Sequence, residues 1–160
     1  ALPTEGRIEV DGVKHAIDPL TATAIVDVHK AHYPRDTWWK WATFAGFDGE
    51  GRRVAVNLTR NVVRDPDLHE NAVWVDGVLH DQRAATFDLD AQPWRMGTED
   101  GTAALTFHGQ GERVEALNAG LVVSRFRQRY GTYRGRVAVQ GQPVAVTDWF
   151  GLAEDHFARW

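Results

Sequence analysis

The chain has 160 residues, 43% hydrophobic and 25% charged, which suits one globular domain with enough length to bury a core. Its formal net charge of −4 argues against a nucleic-acid partner, and the absence of cysteine excludes disulfides and thiolate metal sites. No apolar run approaches the ~20 residues of a membrane span and nothing resembles a signal peptide, so cytoplasm is the expected location.

Residues 1–20, with Pro3, Gly6, Gly12 and Pro19, read as an N-terminal arm containing a short strand, and residues 21–160 as one domain. Beyond the arm the hydrophobic period is two rather than 3.6. Ala22–Val28 is a β-rich run, and Trp38–Phe47 and Arg52–Arg60 flank the turn "DGEG". "RDPDLHENA" has room for one helical turn capped by Asp65. Asp76–Gly77, between β-formers in "VWVDGVLH", has the residues that a two-residue type I′ hairpin requires. Ala84–Asp90, Trp94–Thr98 and Ala103–Phe107 are further strands, the last two joined by a turn at Gly101. A long strand, Leu121–Tyr130, ends at Gly131; Thr132–Val139 follows, and "QGQP" turns the chain into Val144–Phe150. Residues 152–160 place Ala153, His156, Phe157 and Trp160 at helical spacing, with Asp155 and Arg159 as an i,i+4 pair. The expected fold is an all-β antiparallel barrel or sandwich with a short C-terminal helix.

Alternation sorts the candidate site residues. In 121–130, Arg125, Arg127 and Arg129 share one face, and three arginines are costly to enclose. They are expected to point outward or toward carboxylates, which leaves Ser124, Phe126, Gln128 and Tyr130 facing inward as pocket lining or as a satisfied polar core. Val54, Val56 and Leu58 oppose Ala55, Asn57, Thr59 and Asn61. Either the valines fill the core, or Asn57 presents its amide to a ligand. Trp39 and Trp41 share a face with Thr43, opposite Trp38, Lys40 and Phe44. Indoles on both faces imply that the outer one is also covered, by another element, by a second domain or, in place of a missing partner half, by a second copy in a homodimer.

Glu154, Asp155 and His156 are consecutive and offer acid–base chemistry, since neighbouring carboxylates and imidazoles shift one another's pKa. At most two of the three can meet one substrate. His156, on the apolar stripe, is the leading candidate beside the alternative of a structural histidine. His29 and His32 lie three apart, on opposite faces of a strand, so no metal site is expected. No phosphate loop and no nucleophile elbow occurs, and no cofactor is expected.

Four motifs, "TWWKWATFAGFDGEGRRVAVNLTRN", "ENAVWVDG", "SRFRQRYGTYRG" and "GLAEDHFARW", resemble in order and spacing the bacterial domain-of-unknown-function family DUF2804. The resemblance runs from about Ala22 to Trp160 and corresponds to that family's C-terminal half. It implies a lipocalin-like β-barrel, distantly similar to the group containing carotenoid 1,2-hydratase and tocopherol cyclase. Carried over by motif, it points to Trp39, Trp41, Asn57, Asn71, Gln128, Tyr130, Glu154 and His156. The expected function is binding of a small, largely apolar molecule with a cofactor-free hydration, cyclisation or isomerisation. Glu154 or His156 would be the proton donor, with Tyr130 and Gln128 orienting the substrate. A carrier barrel without chemistry and a half-domain that acts by dimerising are the alternatives.

Overall fold

Paired positive φ angles show where the chain reverses. Asp76 and Gly77 (48° and 84°) and Gln140 and Gly141 (52° and 79°) adopt the left-handed backbone that type I′ turns need. The computed structural model describes residues 1–28, 30–63 and 68–160, all strand or connection. His29 and the residues 64–67 of the expected helical turn, Asp65 among them, lie outside the described residues.

Contacts divide the chain into two units, Ala1–Lys30 and Ala31–Trp160. In the first, β1 (Leu2–Pro3), β2 (Gly6–Val10), β3 (Val13–Ile17) and β4 (Thr23–Ala24) form two small antiparallel pairs, β1 with β4 and β2 with β3. The β-rich run Ala22–Val28 therefore contributes only two strand residues.

The second unit is one nine-stranded antiparallel sheet curled into a half-barrel. Its strands are β5 (Asp36–Phe47), β6 (Arg53–Asn61), β7 (Ala72–Val75), β8 (Val78–Asp81) and β9 (Ala85–Asp88). They continue with β10 (Trp94–Thr98), β11 (Ala103–Asn118), β12 (Val123–Val139) and β13 (Gln142–Arg159). The order β8-β7-β6-β5-β13-β12-β11-β10-β9 places the C-terminal strand at the centre. Gly131 does not end a strand: β12 runs through it, paired with Gly109 and Gly151, and the His108 carbonyl and Gly109 backbone of β11 lie too close there for a Cβ.

The expected C-terminal helix is instead the far end of β13. Nine residues make a marginal helix on their own, whereas here each backbone group bonds to β12 on one side or β5 on the other. Arg159 consequently pairs not with Asp155 but with Asp36 on the neighbouring β5, at 2.6 Å and 2.9 Å in a two-pronged contact.

The core lies on one face of the sheet. Phe44 stacks on Tyr133 at 4.2 Å, Tyr133 meets Phe107 at 4.8 Å, and Phe107 meets Trp94 at 6.1 Å. Val54, Val56, Leu58, Val73, Val137 and Val146 fill in around this aromatic row. Each such side chain contributes on the order of 1.5–3 kcal/mol through burial. The valines of β6 thus face inward and Asn57 faces the other way. Asp148, at φ 57°, is an extra residue between Trp149 opposite Tyr133 and Thr147 opposite Arg134. This bulge keeps Val144 and Val146 before it, and Trp149 and Ala153 after it, on the core face.

One facing expectation is reversed. Arg125, Arg127 and Arg129 stand on the core side of β12, in line with Tyr133, while Ser124, Phe126, Gln128 and Tyr130 stand on the opposite side. The arginines are tolerated there because this end of the sheet extends past the core and supplies partners. Arg127 donates to Glu112 at 2.9 Å, and Arg127 and Arg129 lie over the Trp94 ring.

Candidate functional site: the face opposite the core

The register of three central strands assembles a polar cluster on the outer face. Trp39 stands opposite His156, and Trp41 opposite Glu154; across the next ladder His156 faces Phe126 and Glu154 faces Gln128. Because side chains alternate, Asp155 points to the core side, and the acid–acid–histidine triplet is divided between two surfaces.

Glu154 is buried, with 8% of its surface exposed. Its carboxylate accepts the indole N–H of Trp39 at 2.9 Å on one oxygen and the amide of Gln128 on the other. Both donors are neutral, and no cation lies within ion-pair distance of Glu154 among the described residues. His156 is half-buried between two rings: Trp39 at 4.0 Å, tilted 37°, and Phe126 at 5.4 Å, edge-on. Both of its ring nitrogens are buried and neither has a hydrogen-bond partner. Burial pushes the His156 pKa below its ordinary value, and the negative charges of Glu154 and Asp155 only partly offset this. At neutral pH the ring is an uncharged imidazole with one donor and one acceptor both unused.

A second network continues across β6. Trp41 donates its indole N–H to the Asn57 side chain at 2.7 Å. Asn57 in turn donates to the Glu70 carbonyl at 2.7 Å and to the Thr59 hydroxyl at 3.3 Å. Asn71, 2% exposed, accepts the Thr59 backbone N–H at 2.7 Å. These amides hold the segment before β7 against β6, so Asn57 and Asn71 are committed to protein groups. Ser124 and Tyr130 share the outer face, yet neither makes a hydrogen bond to the cluster. Ser124 stands opposite Ala158, while Tyr130 is 47% exposed over Gly111, its ring 6.5 Å from that of Phe150.

The structure therefore brings Trp39, Phe126, Gln128, Glu154 and His156 into one contact group and places Trp41, Asn57 and Asn71 beside it. Two members escaped sequence reasoning. Tyr33 lies 6.4 Å from Trp39, and Thr59 bridges Asn57 and Asn71. Thr59 had a visible signal, since it alternates with Asn57 and Asn61; Tyr33 precedes β5 in a segment with no periodicity. No group of three or more potential metal ligands occurs among the described residues, and no helix among them is long and apolar enough to cross a membrane.

No curated protein and no solved structure matches this chain. A family model does: it covers residues 1–160, and the chain belongs to the family described as domain of unknown function DUF2804.

Proposed function

We propose that the outer face of the half-barrel binds a small, largely apolar molecule bearing one hydroxyl or carbonyl group, and that His156 moves a proton on it. The observation that carries this reading is the His156 ring, held between Trp39 and Phe126 with both nitrogens unpartnered. A buried polar group without a partner costs roughly 1–3 kcal/mol, and a ligand that parts the covering rings and supplies one would recover it. Trp39 and Phe126 offer apolar surface to the ligand body. The neutral imidazole accepts a proton, and the Glu154 carboxylate, two residues away on the same face, favours the imidazolium that results. Returning that proton elsewhere on the molecule completes an isomerisation or cyclisation without a cofactor.

A second reading has its own support. Each oxygen of Glu154 already accepts a hydrogen bond from the protein, which suits a binding surface that positions groups without reacting. One experiment separates the two. Terpenoid and polyketide-like compounds are screened by tryptophan fluorescence, with Trp39 as reporter, and each bound compound is then analysed for conversion. His156→Phe should retain much of the apolar binding and lose turnover by ~10²–10⁴-fold. Bound compounds returned unchanged by the unmodified protein would establish a carrier. Sedimentation in parallel tests the remaining option, a second copy of the chain covering this face.

A further inference from the structure

The core side of the same strands, past the last buried layer, carries a different chemistry. Arg60, Lys40, Asp155 and Arg127 stand opposite one another in a single row across β6, β5, β13 and β12. The next row along holds Trp38, Phe157 and Arg125, with the Arg125 guanidinium 4.8 Å over the Phe157 ring. Arg127 and Arg129 share one carboxylate, Glu112, at 2.9 Å and 3.7 Å. Five cations (Lys40, Arg60, Arg125, Arg127, Arg129) thus meet two anions (Asp155, Glu112), an excess of three positive charges in a chain of net charge −4. Among the described residues, neither Lys40 nor Arg60 has an ion pair.

Like charges directly opposite one another in a sheet are destabilising, yet Arg60 faces Lys40 at the end of two interior strands of this one. We propose that this row is a binding site for a small organic anion, with a carboxylate or phosphate group seated between Lys40 and Arg60. Asp155 lies on the far side of Lys40, and Asp88 lines a cleft with Arg60 on the other side, so an anion is repelled from both ends and its seat lies between the two cations. Lys40 supplies a point charge, and the Arg60 guanidinium supplies a planar fork for two oxygens. Trp38, 37% exposed, and Phe157 provide apolar surface beside it. The site is independent of His156, which faces the other side of β13.

Inorganic phosphate and benzoate are the probes, titrated at low ionic strength by calorimetry into the unmodified protein and into Lys40→Met, Arg60→Met and the double variant. At least one probe should bind, each single substitution should weaken it by about tenfold or more, and the double variant should not bind it. Phosphate alone would identify a phosphate ester as the ligand class, benzoate alone a carboxylate. His156→Phe should bind as the unmodified protein does. In anion-free urea melts, Arg60→Met should unfold at an equal or higher midpoint than the unmodified protein, because the opposed charges are gone. Failure of both probes to bind the folded protein, or equal binding by the double variant, would overturn the proposal.

Discussion

The indole N–H of Trp39 reaches the Glu154 carboxylate diagonally, at 2.9 Å, although the residue directly opposite Trp39 is His156. One side chain therefore serves two neighbours, bonding the acid with its edge and covering the imidazole with its face. Trp39→Phe keeps the cover and removes the bond. Loss of one hydrogen bond to a charged group should lower stability by about 1.5–3 kcal/mol, read as a lower urea midpoint with an unchanged slope. Combining it with Gln128→Leu strips both donors from a buried carboxylate, and the loss should exceed the sum of the two single effects.

His156 makes stability depend on pH in a defined direction. Its pKa is lower in the folded chain than the ordinary 6.5 because burial disfavours the charged ring. Between those two values the unfolded chain binds the extra proton, so stability is full above the ordinary value and falls as pH drops below it. His156→Phe should flatten this part of the profile. Urea midpoints at pH 7.5 and pH 5, compared between the two proteins, give the measurement.

Tyr133 acts at the other end of the scale. Its hydroxyl donates to the Leu152 carbonyl at 2.7 Å, and complete burial pushes its pKa well above 10. The unfolded chain ionises first, so the tyrosine's contribution is present below the ordinary value of 10.0 and declines as pH rises past it. Tyr133→Phe should cost about 1 kcal/mol near neutrality and should unfold less readily than the parent under further alkalinisation.

Gly46 lies beneath the Trp149 ring, where an added methyl group would collide with the indole. Gly46→Ala should displace Trp149, cost about 1–3 kcal/mol through overpacking, and alter the near-ultraviolet circular dichroism while leaving the far-ultraviolet strand signal intact.

The strand-rich class and most turns were legible because they are local: Asp76–Gly77 and Gly101 act within a few residues. So was the sharing of one face by Phe126 and Gln128, which follows from alternation alone. Which side that face lies on was not legible. Arg127 and Arg129 look unfit for the core side until Glu112 and Trp94, from two other strands, stand against them. The Trp39–Glu154 bond spans 115 positions, and nothing near either residue announces it. The end of β13 fits helical spacing as well as alternation, and only its two neighbouring strands decide between them.

Asp148 has a consequence for how β13 tolerates length changes. Before it, the buried apolar residues of the strand are the even-numbered Val144 and Val146; just after it, they are the odd-numbered Trp149 and Ala153. The bulge works as a change of parity. Its removal would leave Thr147 opposite Arg134 and Trp149 opposite Tyr133, so a deletion there costs the Arg134–Asp148 ion pair but no ladder partner. A single residue inserted between Trp149 and Glu154 has no such refuge. Unless the sheet absorbs it as another bulge, it turns Glu154 and His156 toward the cations and carries Asp155 to the Trp39 side, so that one added residue exchanges the two surfaces of the protein.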